Sequence, residues 1–279
     1  MPDLSAVLPE CPPKQTVVGV GISTTSYREV AGVCRRWIDS LGHWRQAGRP
    51  AALAPPGRYI TVTSVHGAME AFWNPEFRQV LNGADIATPD GMPLVWALRS
   101  MRVRGQQRVY GPNLMLELCQ QAARLGHGIF LYGGRPERLE ELQQQLQARF
   151  PGLVIAGACS PPFRPLTREE DEADVARLQE SEADIVFVGL STPKQERWMA
   201  AHRDRLPGVV LIGVGAAFDF HAGRVPQAPA WVQQSGLEWF FRLLMEPRRL
   251  WKRYLLVTPL FLPLWALQRI GILRYESNR

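Results

Sequence analysis

Apolar positions along this chain gather into short runs, and the segments between them mix charged and apolar residues at helical spacing. The runs are "TVVGVGI" (16–22), "YITVTSV" (59–65), "ADIATP" (84–89), "GIFLYGG" (128–134), "LVIAGA" (153–158), "ADIVFVGL" (183–190) and "GVVLIGVG" (208–215). Rich in Val and Ile, they predict strands of a mostly parallel sheet covered on both faces. Between them, "RPERLEELQQQLQARF" (135–150) and "TREEDEADVARLQE" (167–180) read as helices. The alternation predicts an α/β layered core.

Proline-rich breaks at Pro9–Pro13, Pro50–Pro56 and Pro161–Pro165 read as loops within that core, and the chain carries no internal repeat. After "HAGRVPQAPAW" (221–231) the pattern becomes helical and basic. The expected organisation is therefore a flexible N-terminus at 1–15, an α/β core at 16–230 and a helical C-terminal appendage at 231–279.

With 279 residues, 46% of them hydrophobic, the chain has ample material for a large core. Cys11, Cys34, Cys119 and Cys159 are scattered, without the spacing of a disulfide framework or a metal site, which points to a reducing cytoplasm and no bound metal. The opening "MPDLSAVLPECPPKQ" lacks the basic start and apolar stretch of a signal peptide, so no export is expected. The formal charge is +6, yet from Arg242 onward eight Lys or Arg face two Glu, and that segment alone accounts for the whole excess. A neutral core argues against nucleic acid as a partner.

In open α/β sheets, ligands bind beyond the carboxyl ends of the strands. Four stretches reach such positions. "TPDG" (88–91) sets Asp90 between a proline and a glycine before a helix-like run. On sequence grounds its carboxylate suits first a helix cap, and, compatibly with that, a general base at the mouth of a pocket. "YGGRPE" places Gly133 and Gly134 ahead of a helix, where backbone N–H groups suit a phosphate or simply a tight turn. The three spaced glycines of a dinucleotide fingerprint are missing. "GLSTPKQERWM" (189–199) pairs Thr192 with Gln195 at capping-box spacing, and Gln195 also suits a phosphate or a nucleobase. "GVGAAFDFHAGRVPQAP" (213–229) combines Gly213 and Gly215, small enough to admit a ligand, with Asp219, His221 and Arg224; Arg224 suits an anion, and His221 reads as packed rather than catalytic.

The tail from 236 to 273 mixes aromatics, leucines and basic residues. Its run from Tyr254 to Leu267 is interrupted by Pro259 and Pro263 and is shorter than the roughly 20 residues a membrane span needs. Basic residues beside Trp, Phe and Leu predict a segment lying on an anionic membrane surface; a helix pair packed on the core or an oligomer interface is the alternative.

Taken together, "TPDGMPLVWALR", "RVYGPNLM", "FLYGGRPERLE", "VGLSTPKQERWM" and "GVGAAFDFHAGRVPQAPAWVQQSGLEWFFRLLMEPRR" resemble the WecG/TagA/CpsF family of bacterial glycosyltransferases, from about residue 16 to 255. The resemblance implies a Rossmann-like core and a basic, membrane-associating appendage. It also implies an inverting, metal-independent transfer of N-acetylmannosamine, its uronic acid or glucuronic acid from a UDP-sugar to a polyprenyl-diphosphate-linked saccharide. UDP-sugar serves as donor substrate, with no further cofactor. The setting is the inner face of the cytoplasmic membrane, in synthesis of teichoic acid linkage units, enterobacterial common antigen or exopolysaccharide, by a homo-oligomer. Asp90 matches the catalytic base and Thr63 an assisting threonine, with Ser64 or His66 sharing that role; Asn113, in "RVYGPNLM", is a further candidate for the acceptor. Gln195 matches an active-site glutamine. Arg242 and Arg249 match appendage arginines that meet the donor diphosphate, and a third falls on Lys252, beside Arg253.

Two other readings follow from the residues alone. A nucleotide-dependent oxidoreductase fits Gly-rich strand ends, and a noncatalytic membrane-associated scaffold fits an Asp90 that only caps a helix.

Overall fold

A computed structural model describes residues 11–46, 48 and 55–275, without the side chains of 43–45, 230, 234, 249 and 253. Much of the expected N-terminal stretch and of the Pro50–Pro56 break lies outside the described residues. The run at 16–22, expected as one strand of the parallel sheet, is instead most of a hairpin. Strands β1 (Lys14–Val17) and β2 (Val20–Ser23) pair antiparallel through Val18 and Gly19, whose φ angles are 49° and 81°. Two-residue hairpin turns of this kind require positive φ at both positions. Gly19 adopts it freely, whereas Val18 is held there by complete burial in a cluster with Val17, Val20 and Ile22. The hairpin covers one sheet edge, and Ser23 Oγ accepts the Ala87 N–H at 3.0 Å.

Six strands form a parallel sheet. They are β3 (Arg58–Thr63), β4 (Ile86–Pro89), β5 (Gly128–Gly133), β6 (Val154–Cys159), β7 (Ile185–Gly189) and β8 (Val210–Gly213), in the spatial order β4-β3-β8-β7-β5-β6. Pro89, which has no N–H for a ladder, ends an edge strand. Alternate side chains of each strand enter different layers. Ile185 and Phe187 pack with α1 (Tyr27–Gln46), α5 (Gly111–Leu125) and α6 (Pro136–Arg149), and Val186 and Val188 with α7 (Arg168–Glu180) and α8 (Lys194–His202). Both expected helices are present, the second opened by a capping box of Thr167 and Glu170. A third cluster joins the hairpin to α2 (Val65–Trp73), α3 (Pro75–Asn82) and α4 (Met92–Ser100).

After the short α9 (Ala217–His221), the C-terminal segment forms α10 (Ala230–Gln234), α11 (Glu238–Met245), α12 (Pro247–Trp251), a π-helical turn at Lys252–Val257 and α13 (Phe261–Arg269). Helix α13 returns to the core: Phe261 is fully buried beside Val17, Met69 and Leu98. Gln268 bridges the hairpin, accepting the Val18 N–H and donating to the Thr16 carbonyl, both at 2.7 Å. Gln268→Ala removes both partners and is expected to lower the unfolding free energy by about 1–3 kcal/mol, read by denaturant titration; an unchanged midpoint would contradict this bridging role. Among the described residues, no helix is long and apolar enough to cross a membrane.

Candidate active site

Strands β3, β4, β7 and β8 end on the same side of the sheet, and α11 packs over that end. Two adjoining cavities open there, with Ser64, Asp90 and Arg242 in the wall common to both. The first is completed by His66, Met92, Arg108, Glu238, Trp239 and Tyr254. Tyr110, Ser191, Thr192, Gln195, the 213–217 turn and Phe220 complete the second.

Asp90 is positioned by its backbone. Its N–H continues the β3–β4 ladder by donating to the Thr63 carbonyl at 2.9 Å, and Pro89 C=O accepts from Val109 at 3.0 Å. The neighbouring helix α4 has Gly91 at its N-cap and no side-chain cap, so the carboxylate is not spent on the helix start. It meets Arg108 instead: Nη2 lies 3.2 Å from Oδ1, while Arg108 Nε donates to the Asp90 carbonyl. Arg108 also donates through Nη1 to Glu238 Oε2 at 2.5 Å and stacks on the Tyr110 ring, 4.1 Å from its centroid. Burial raises the Asp90 carboxyl above the ordinary carboxylate range; Arg108 opposes this and Glu238 adds to it.

Gln195 shows the clearest preparation for a ligand. Its Nε2 donates to Glu196 Oε1 at 3.0 Å, which fixes the amide's orientation, and leaves Oε1 buried without a partner. A buried acceptor left unpaired is costly unless something donates to it. Gly213 makes room for this amide, since a Cβ there would lie 3.0 Å from Nε2 and 2.8 Å from the Met199 methyl. Arg242 carries a matching orphan: Nε is buried and unpartnered, with the guanidinium over Phe220 at 5.6 Å. Hence one acceptor and one cationic donor await partners in adjoining space.

Of the other predicted residues, some line these cavities and some stand apart from them. Thr63 is buried at the end of β3 with its Oγ1 3.0 Å from that of Thr61, and it is Ser64, the N-cap of α2, that reaches the cavities, with His66 lining the first. The Thr192–Gln195 capping box does not form, because Pro193 occupies the N-cap position and α8 begins at Lys194; Thr192 Oγ1 donates to Glu196 at 2.8 Å. Gly215 lines the second cavity.

Gly133 and Gly134 lie two strands away from β8: a Cβ on Gly133 would stand 2.7 Å from the Gly189 carbonyl, and Gly134 takes a φ of 75°, which favours glycine. Asp219 pairs with Arg138, and exposed Arg224 with Glu141, so both tie α9 and its following turn to α6. His221 Nε2 contacts the Pro112 carbonyl at 2.9 Å, and burial lowers its pKa. Asn113 is exposed in a neighbouring hollow with Tyr27, Gln107 and Arg108. Lys252 is exposed and lies over Trp251; the side chains of Arg249 and Arg253 lie outside the described residues.

Sequence reading missed Arg108 and Glu238. Each stands inside a motif quoted above, but 130 residues separate them and only the fold joins them. Burial pushes Cys34 and Cys119 up to about 12, which keeps both from acting as thiolate nucleophiles. Among the described residues, no three His, Cys, Asp or Glu side chains gather at a metal-binding geometry.

The model of the glycosyl transferase WecG/TagA/CpsF family matches residues 15–274. Among relatives, an N-acetylglucosaminyldiphosphoundecaprenol N-acetyl-beta-D-mannosaminyltransferase of Bacillus subtilis (strain 168) is 31% identical over 224 residues, which cover 80% of this chain and 82% of the relative. A protein of the same description from Bacillus spizizenii (strain W23) is 32% identical over 200 residues, covering 71% and 75%. With a parallel α/β core and a match over nearly its whole length, the chain belongs to the WecG/TagA/CpsF family of glycosyl transferases.

Proposed function

We propose that this chain transfers a sugar of the N-acetylmannosamine, N-acetylmannosaminuronic acid or glucuronic acid type from UDP to a polyprenyl-diphosphate-linked saccharide, with inversion and without a metal ion. The observation that carries this reading is Asp90 in the wall between two cavities: a carboxylate raised by burial, free of helix capping and flanked by the orphan Gln195 Oε1 and Arg242 Nε.

The second cavity takes the donor. Gln195 Oε1 accepts from an N–H or hydroxyl of the nucleotide, and Arg242 meets the diphosphate. The first cavity takes the acceptor. Asp90 draws the proton from the acceptor hydroxyl as that oxygen bonds to the anomeric carbon; the bond to the diphosphate breaks, and UDP leaves with the electron pair. Arg242 balances the charge that develops on the leaving oxygen, a task for which a preorganised cation suffices. The substrate named for the two relatives supports an acceptor bearing N-acetylglucosamine diphosphate on a polyprenol.

The chain works at the inner face of the cytoplasmic membrane. Leu244, Leu255, Leu256 and Leu262 on the C-terminal helices are more than half exposed beside Lys252, a composition suited to an anionic lipid surface. The enzyme assembles as a homo-oligomer. The test is transfer from a panel of UDP-sugars to a short-chain polyprenyl-diphosphate N-acetylglucosamine acceptor, with EDTA present. Product from one donor is expected; no product from any, together with no UDP binding by calorimetry, would overturn the reading.

A further inference from the structure

The reaction drawn above gives Glu238 no task. Yet this carboxylate is 6% exposed, and it enters the first cavity from the first turn of α11. Burying a charge is costly unless it is paired, and its partner is Arg108. A guanidinium next to a single carboxylate favours a two-pronged pairing that engages both oxygens. Here Arg108 is divided: Nη1 goes to Glu238 Oε2 at 2.5 Å, Nη2 to Asp90 Oδ1 at 3.2 Å, and Nε to the Asp90 carbonyl. Tyr110 beneath the guanidinium holds it in plane.

We infer that Glu238 is a positioning residue for the reaction: by occupying Nη1 of Arg108 it prevents a two-pronged Arg108–Asp90 pair and keeps Asp90 Oδ2 open to the acceptor hydroxyl. The inference rests on Asp90 being the base. It also gives α11 a double role, because Glu238 and Arg242 lie four residues apart on one helix face. The same turn that frees the base supplies the cation for the leaving group.

Charged groups facing Asp90 are Arg108 from the loop before α5, and Glu238 and Arg242 from α11. His66 of α2 shares its cavity, and the phenols Tyr27, Tyr110 and Tyr254 stand around the cluster. Glu238 is the anion among these, so its removal lowers the Asp90 pKa, weakens the base and turns Arg108 fully toward it.

The test is kcat/KM against pH for the full chain with Glu238→Gln and Glu238→Asp, using the UDP-sugar and lipid-linked acceptor that the panel identifies. For Glu238→Gln the acid limb moves to lower pH and the plateau falls about tenfold or more, while UDP affinity is retained. Glu238→Asp keeps the charge, and its limb stays near that of the wild-type chain. An unmoved limb in Glu238→Gln, or a loss confined to UDP affinity, overturns the inference. Full activity in Asp90→Asn instead overturns the base assignment itself, so the two failures are distinguishable.

Discussion

Asp90→Asn is expected to transfer sugar about 10²–10⁴-fold more slowly than the wild-type chain, the contribution typical of a positioned general base. The substitution is close to isosteric. An asparagine carbonyl still accepts from Arg108 Nη2, and its N–H still reaches the Thr63 carbonyl, so the turn after β4 keeps its shape. What is lost is the capacity to take a proton. UDP affinity is therefore expected to stay near the wild-type value, and the loss to fall on kcat, measured in a single turnover. The pH dependence has a definite sign: burial and Glu238 raise the Asp90 carboxyl against the pull of Arg108. A base works ionised, so the rate is full above that raised value and is lost as pH falls through it.

Arg242→Ala is expected to lower kcat by about 10²–10³-fold, the scale of removing one preorganised donor from a developing oxyanion. Arg242 lines both cavities, and its unpartnered Nε lies buried where they meet. Burial opposes its charge, and the neighbouring carboxylates of Glu238 and Asp90 favour it. Because the leaving diphosphate gains charge as the bond breaks, the loss belongs mainly to kcat rather than to the donor KM. Arg242→Lys recovers only part of it, since an ammonium lacks the planar fork. Steady-state kinetics at saturating acceptor separate the two parameters, and a loss wholly in KM would contradict a transition-state role.

Six of the seven apolar runs are strands of the sheet; five of them are largely buried on both faces and so leave an unbroken apolar signature, while β6 at the edge is half-buried. The run at 16–22 escaped that logic. Its fold depends on a valine at positive φ, which local preference disfavours and which burial against α13, distant in sequence, sustains. That Asp90 and Gln195 line a cavity at the strand ends is legible in sequence, because Pro-Asp-Gly follows one strand and Gln195 stands in the first turn after another. The capping box at Thr192 was misread because spacing alone ignores Pro193 at the N-cap. Gly133 and Gly134 suit a phosphate turn or a tight turn by sequence; in the fold both stand at positive φ, and Gly133 also packs closely on the Gly189 backbone. The Arg108–Glu238 pair had no local signal, because the alignment of α11 over the strand ends creates it.

The most direct test of Asp90 as the base is the acid limb of kcat/KM, measured for the wild-type chain and Asp90→Asn with the same donor and acceptor. The account predicts a limb above the ordinary carboxylate range in the wild-type chain, absent from the slow residual reaction of Asp90→Asn. Transfer by Asp90→Asn at the wild-type rate, with the same limb, would contradict it.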